Sequence, residues 1–270
     1  MSAETSAETV DVAAAQQRHR EADAWFDSHR AFFLLGLGRS GTKFLAQLMG
    51  RSPGAAVFHE PIEEDVAAFV ETHQSADAAL TYVRNVRKLR MHELVAGRDV
   101  GIYGEPNSWL RCCSSALRSC LPNVTILHLV RDGRDVVRSI MGLEHYTDRA
   151  PNSAAVLRPL ADEPLHAEWD RLTRFEKVCW LWADANRRLT TGVDGVVRFE
   201  EILSRYDLFR DTLEKPLGLE IGERLWSEAV SKPVNAIHAF NFPQWREWSR
   251  PLVGAFERIC GSEMARLGYR

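Results

Sequence analysis

Two stretches of this chain carry residue types that hold a phosphate group. The first reads Phe32-Phe33-Leu34-Leu35-Gly36-Leu37-Gly38-Arg39-Ser40-Gly41-Thr42-Lys43-Phe44-Leu45. The second reads Ile126-Leu127-His128-Leu129-Val130-Arg131-Asp132-Gly133-Arg134-Asp135-Val136-Val137-Arg138-Ser139. Each begins as an apolar, strand-like run, breaks into a turn rich in glycine or arginine, and resumes as a helix. Such a turn aims backbone N–H groups and cations at an anion. Two of them predict a ligand with phosphate at both ends.

The first turn misses a familiar pattern by one residue. A nucleoside-triphosphate P-loop needs G-x-x-x-x-G-K-[ST]. Gly36 and Gly41 have that spacing, but Thr42 stands where the lysine belongs and Lys43 comes one place late. Phe44 then occupies the place of the hydroxyl that would hold Mg²⁺. The spacing keeps a phosphate cradle and loses the metal ligand. No metal site is expected, and a magnesium-dependent kinase is disfavoured.

Gly38-Arg39-Ser40-Gly41-Thr42 resembles the 5′-phosphosulfate loop of the sulfotransferases that use 3′-phosphoadenosine-5′-phosphosulfate (PAPS). Arg131-Asp132-Gly133-Arg134-Asp135-Val136-Val137, with Ser139 after it, is similar to the 3′-phosphate motif of that family. A looser similarity runs from Trp245-Arg246-Glu247 to Leu267-Gly268-Tyr269, so the likeness spans Phe32 to Tyr269. The resemblance implies a P-loop NTPase-like sulfotransferase fold and PAPS as the donor, with its bisphosphate (PAP) as product. It implies that Arg39 lies near the bridging oxygen and stabilises the leaving group. The N–H groups of Ser40, Gly41, Thr42 and Lys43, with Phe44 beside them, would hold the 5′-phosphate, and Lys43 would add a point charge. Arg131 and Ser139 would hold the 3′-phosphate, and Trp245 would help close the nucleotide pocket. Arg134 and Arg138 read as surface charges.

Sulfuryl transfer also needs a base for the acceptor proton. His59-Glu60-Pro61 follows the short apolar run Ala55–Phe58, and related enzymes carry a glutamate soon after the first helix and strand. Glu60 is the first candidate and His59 the second; the plain alternative is that Glu60 caps a helix starting near Pro61. Two departures from the family stand out. Gly104-Glu105-Pro106-Asn107-Ser108 has proline where related enzymes often have a lysine near the sulfate, leaving Asn107 or Ser108 to supply hydrogen bonds. Phe199 stands where the family frequently has a tyrosine.

These residues need a scaffold, and the composition allows one. With 270 residues, 45% of them hydrophobic, the chain can bury the core of a single α/β domain. A net charge of −3 gives no global attraction for nucleic acid or an anionic membrane, so any anion site must be local. Five cysteines without a C-x-x-C pair read as reduced thiols in a cytoplasmic protein. No secretory signal or apolar run long enough to span a bilayer is visible. Residues 1–24 read as a mobile or partly helical tail and 25–270 as the sulfotransferase domain.

Strands are expected at Ala31–Leu37, Ala55–Phe58, Val100–Tyr103, Val124–Val130 and Gly195–Phe199. Helices are expected at Thr42–Met49, Asp77–Ala96, Trp109–Ser119 and Arg171–Leu189. This alternation predicts a central parallel sheet flanked by helices, with ligands at the strand C-terminal ends. Glu144–Asp170, with His145, Tyr146, His166 and Trp169, reads either as a mobile lid or acceptor wall or as ordinary surface helix and loop. The acceptor is expected to be a small-molecule, glycan or lipid-linked hydroxyl. A nucleotide or small-molecule kinase and a noncatalytic nucleotide-binding protein are the alternatives.

Overall fold

A computed structural model, which describes residues 2–149, 157–232 and 240–270, provides the structure. Five strands form one parallel sheet: β1 (Arg30–Leu35), β2 (Ala55–Val57), β3 (Ile102–Asn107), β4 (Val124–Val130) and β5 (Gly195–Arg198). Their spatial order is β2-β3-β1-β4-β5, which places β1 at the centre. Strand alternation divides β1 between two faces. Phe33 and Leu35 join one apolar cluster with Phe26, Val83, Met91 and Leu117, while Phe32 and Leu34 join another with Leu45, Leu48, Ile202 and Phe209.

The helices that cover these faces are α1 (Ser2–Ser28), α2 (Thr42–Met49), α3 (Glu64–Gln74), α4 (Ala76–Tyr82), α5 (Lys88–Val95), α6 (Ser114–Cys120), α7 (Gly133–Met141), α8 (Arg174–Arg188) and α9 (Phe199–Ser204). A third cluster packs α7, α8 and the C-terminal helix Arg250–Arg266 through Val136, Ile140, Val178, Trp182, Cys260 and Met264. Helix α8 starts in a capping box in which the Thr173 hydroxyl accepts from Glu176 N–H and the Glu176 carboxylate accepts from Thr173 N–H.

Four expectations shift. The helix expected over Asp77–Ala96 is continuous from Ala76 to Val95 and capped by Ser75, but a π turn at Val83–Arg87 joins its halves. Trp109–Ser119 splits into a 3₁₀ turn, Trp109–Cys112, followed by α6. Helix α8 begins at Arg174, after the 3₁₀ turn Trp169–Arg171. The strand expected at Val100–Tyr103 is β3, and it runs on through the residues read as a turn. Gly104 is there because the Phe32 ring lies over it; a Cβ would come within 2.1 Å of that ring. Pro106 is tolerated because β2 ends opposite Gly104, leaving that side of β3 an edge.

Under the end of β3 lies a sealed polar cluster. The fully buried Arg87 donates to Asp65 (2.8 Å) and to both oxygens of Glu105 (2.5 and 2.7 Å). Tyr82 donates to Asp65 and Tyr103 to Glu105. Burial pushes the Asp65 carboxyl up despite Arg87. Asn107 closes the cluster with its amide N–H groups while its Oδ1 accepts from Trp109 N–H (2.6 Å) and Leu110 N–H (2.9 Å). The cluster thereby fixes the chain direction at Ser108.

No helix among the described residues is long and apolar enough to cross a membrane. All five cysteines are free thiols.

Candidate functional site

The turn between β1 and α2 is shaped by left-handed backbone at Arg39 (φ 75°) and Gly41 (φ 100°). Arg39 bears the strain of a side chain in that region, whereas Gly41 avoids it. Gly41 also has no room: a Cβ would lie 2.1 Å from the Phe199 ring. Ser40 N–H turns inward to Leu37 C=O (3.2 Å), so it is not part of an open cradle. The N–H groups of Gly41, Thr42, Lys43 and Phe44 have no acceptor among the described residues. They form the positive end of α2. Lys43 is exposed, and Phe44 packs edge-on against Phe199.

The second turn, between β4 and α7, meets the first directly. Arg131 Nη1 donates to Arg39 C=O (3.2 Å), and Arg39 Nε donates to Ser139 Oγ (2.9 Å). The Arg131 guanidinium also stands 5.5 Å from the Phe199 ring centroid and 3.7 Å from Asp135. Trp182 on α8 donates to Arg131 C=O (3.2 Å), which anchors the turn from below. Burial, and then the neighbouring Arg131 charge, hold the Arg39 guanidinium below its ordinary range. Arg39 has no carboxylate partner among the described residues.

The C-terminal stretch joins the same edge of the sheet. Glu200 accepts from Asp132 N–H (2.8 Å) and from Tyr269 OH (2.9 Å). Trp245 lies between two guanidiniums, Arg134 at 4.4 Å and Arg246 at 4.5 Å from its ring. Arg134 is held by Asp132, and Arg138 has a buried Nε without a partner among the described residues. Neither is a plain solvated surface charge.

On the other side of β1, His59 and Glu60 follow β2. His59 Nε2 is 3.1 Å from Thr42 Oγ1, which ties it to the start of α2. Glu60 has left-handed backbone (φ 48°), and its Oε1 accepts from Ser108 N–H (3.0 Å) and Ser108 Oγ (2.5 Å). It does not cap the next helix, since α3 starts at Glu64 with no side-chain cap. Ser108 in turn fronts Gly38. Glu60, Ser108, Gly38 and Arg39 thus line one continuous edge at the ends of β1, β2 and β3.

Sequence reasoning named Arg39, the amides from Ser40 to Lys43, Arg131, Ser139, His59, Glu60 and Trp245; Arg39, Arg131 and Ser139 meet directly, His59 is joined to Thr42, Glu60 to Ser108 and Trp245 to Arg134, while the Ser40 N–H is turned away. It gave Phe199 no certain place; Phe199 touches both turns. It gave the buried Arg111 no role and left His145 as one of several wall residues. Burial lowers the His145 imidazole, helped by Arg174, Arg111 and Arg39 in that order. Residues 150–156 of the expected acceptor wall lie outside the described residues.

No family model matches the sequence, and no curated protein matches it. Solved structures do. A sulfotransferase from Mycobacterium avium aligns with a TM-score of 0.55 at 12% identity, covering 96% of this chain and 82% of that one. The sulfotransferase domain from the curacin biosynthetic pathway aligns at 0.49 and 13%, covering 90% and 98%. A sulfotransferase from Mycobacterium tuberculosis H37Rv aligns at 0.46 and 12%, covering 94% and 81%. The chain has the fold of a sulfotransferase.

Proposed function

We propose that this protein transfers the sulfuryl group of PAPS to the hydroxyl of a small-molecule, glycan or lipid-linked acceptor. The observation that carries this reading is the direct joining of the two anion turns, Arg131 to Arg39 and Arg39 to Ser139. That spacing suits one nucleotide with phosphate at both ends. The residues fit such a donor: among the described residues the N–H groups at the start of α2 have no acceptor and the half-buried Arg39 has no carboxylate partner. The donor supplies a sulfuryl group on an oxygen that leaves as phosphate.

In this mechanism the amides of Gly41 to Phe44 bind the 5′-phosphate, and Arg131 with Ser139 binds the 3′-phosphate. Glu60, oriented by Ser108, accepts the proton as the acceptor oxygen bonds to sulfur. As the S–O bond to the 5′-phosphate breaks, Arg39 stabilises the charge that develops on the leaving oxygen. His59 is the alternative base, tethered to Thr42. Trp245 borders the nucleotide side through Arg134. No step uses a metal.

Titration by calorimetry with PAP, AMP and ATP tests the reading. PAP is expected to bind far more tightly than AMP, and ATP without Mg²⁺ dependence. Preference for ATP with Mg²⁺ indicates a kinase instead. Labelled PAPS with an acceptor panel then separates catalysis from a protein that only binds the nucleotide.

A further inference from the structure

After the donor is assigned its partners, one buried cation remains unexplained. Arg111 follows β3 in the 3₁₀ turn Trp109–Cys112 and is 4% exposed. Its Nη1 donates to Ser108 C=O (2.8 Å), and among the described residues it forms no ion pair. Its Nε is sealed from solvent, and among the described residues neither Nε nor Nη2 has a hydrogen-bond partner. Burial lowers the guanidinium from its ordinary range, and the nearby Asp184 carboxylate offsets this only in part, being already paired with Arg187 and Arg188. A buried charge left this way is costly unless a counter-ion arrives.

The place of Arg111 says where that counter-ion sits. Ser108 bonds Arg111 through its carbonyl and Glu60 through its N–H and hydroxyl, so the cation is one residue from the proposed base. The guanidinium lies 4.2 Å from the Phe69 ring, and Trp109 packs edge-on against that ring, which holds the fork in one plane. A Cβ at Gly38 would lie 3.7 Å from Ser108 Oγ, so the turn that carries Arg39 borders the residue that Arg111 bonds. Arg174, at the start of α8, is different. Its fork is spent on the carbonyls of Met141, Leu143 and His145 at the end of α7.

We propose that the acceptor is an anionic alcohol or phenol, bearing a carboxylate or phosphate group, and that Arg111 holds that group while the hydroxyl faces Glu60. This rests on the transferase reading above. Guanidinium suits such a partner because its planar fork matches both oxyanions. Neutral acceptors of the same shape leave Arg111 without an oxyanion in direct contact, so the site selects against them.

The test is calorimetric titration of the protein, with and without PAP, using matched probes. The pairs are 4-hydroxybenzoate with 4-hydroxybenzamide, and methyl glucuronide with methyl glucoside. In at least one pair the anionic member is expected to bind about tenfold more tightly or better, the scale of a charge-assisted hydrogen bond. Arg111→Gln should abolish that preference and leave PAP affinity unchanged, while Arg111→Lys should keep part of it. Equal binding of both members in every pair, or binding of none, overturns the proposal, as does a preference that survives in Arg111→Gln. Failure of PAP to bind sinks the donor reading alone, and the preference is then judged on the protein without it. Should Arg111→Gln not fold, the sealed Nε–H of Arg111, assigned with Arg111→Lys, is followed by NMR in the wild type. It must shift with the preferred anion and not with its neutral partner.

Discussion

Arg39 and Ser139 stand 100 residues apart in sequence and share a 2.9 Å hydrogen bond, from guanidinium Nε to hydroxyl oxygen. The residue proposed to stabilise the leaving phosphate therefore already touches the residue proposed to hold the far phosphate. Arg39→Ala should depress turnover by roughly 10²–10³-fold, the scale of losing one group that stabilises developing charge. PAP affinity should fall much less. Single-turnover kinetics beside calorimetry checks this; a binding collapse with normal turnover makes Arg39 a ligand-holding residue instead.

Arg131→Ala should discriminate between nucleotides. It is expected to weaken PAP by about 1.5–3 kcal/mol and AMP hardly at all, because only PAP offers the 3′-phosphate. Titration of both ligands into the variant reads the difference, and equal weakening would remove Arg131 from that phosphate.

Glu60→Gln keeps the shape of the side chain and removes its ability to accept a proton. Turnover on an alkyl hydroxyl should fall by roughly 10²–10⁴-fold with PAP affinity retained. Ser108→Ala, which deletes one of the two bonds that orient Glu60, should show a smaller loss in kcat. If Glu60→Gln stays active while His59→Ala does not, the base is His59.

Gly41→Ala meets two obstacles, the positive φ and the Phe199 ring. Strain of this kind costs on the order of 1–3 kcal/mol. The variant should melt earlier and bind PAP poorly. Phe199→Leu in the same chain should recover part of the melting temperature, since it relieves the clash and leaves the φ.

His128 lies fully buried in β4, with Nε2 2.8 Å from Asn186 Oδ1 and Nδ1 without a partner among the described residues. Burial pushes its imidazole down to about 4, and that of His73 likewise. Both are therefore neutral in the folded chain and protonate more easily once unfolded. Their contribution is present above about pH 6.5 and is lost as pH falls from there toward 4, at a ceiling of about 3 kcal/mol each. Denaturant midpoints at pH 7.5, 5.5 and 4.5 should decline; His128→Gln, which keeps the donor to Asn186, should flatten the decline.

The two anion turns were legible in the sequence because each is local: a strand, a break and a helix within fourteen residues or so. Strand β4 and helix α2 appeared at their observed bounds for the same reason. The end of β3 was not legible. Gly104 and Pro106 read as turn residues, and what makes them strand residues is Phe32 and the early end of β2, both distant in sequence. Arg87, Asp65 and Glu105 each look like surface charges when read alone, and only the fold shows them sealed together. Ser108 was a possible donor, but its bond to Glu60 spans 48 residues.

The π turn at Val83–Arg87 carries one more consequence. Ala79, Val83, Arg87, Met91 and Val95 are all buried at a strict spacing of four. An ordinary α-helix turns about 400° over four residues, so such a row drifts by about 40° at each step. The wider π turn absorbs part of that drift and keeps one stripe facing inward. Removing a single residue from Thr81–Arg87 would let the helix regularise and swing its two halves out of phase, parting Arg87 from its carboxylates. This segment should tolerate exchanges of side chain far better than a change of length. Lineages descended from a common ancestor with this site should differ here by substitution and not by insertion or deletion.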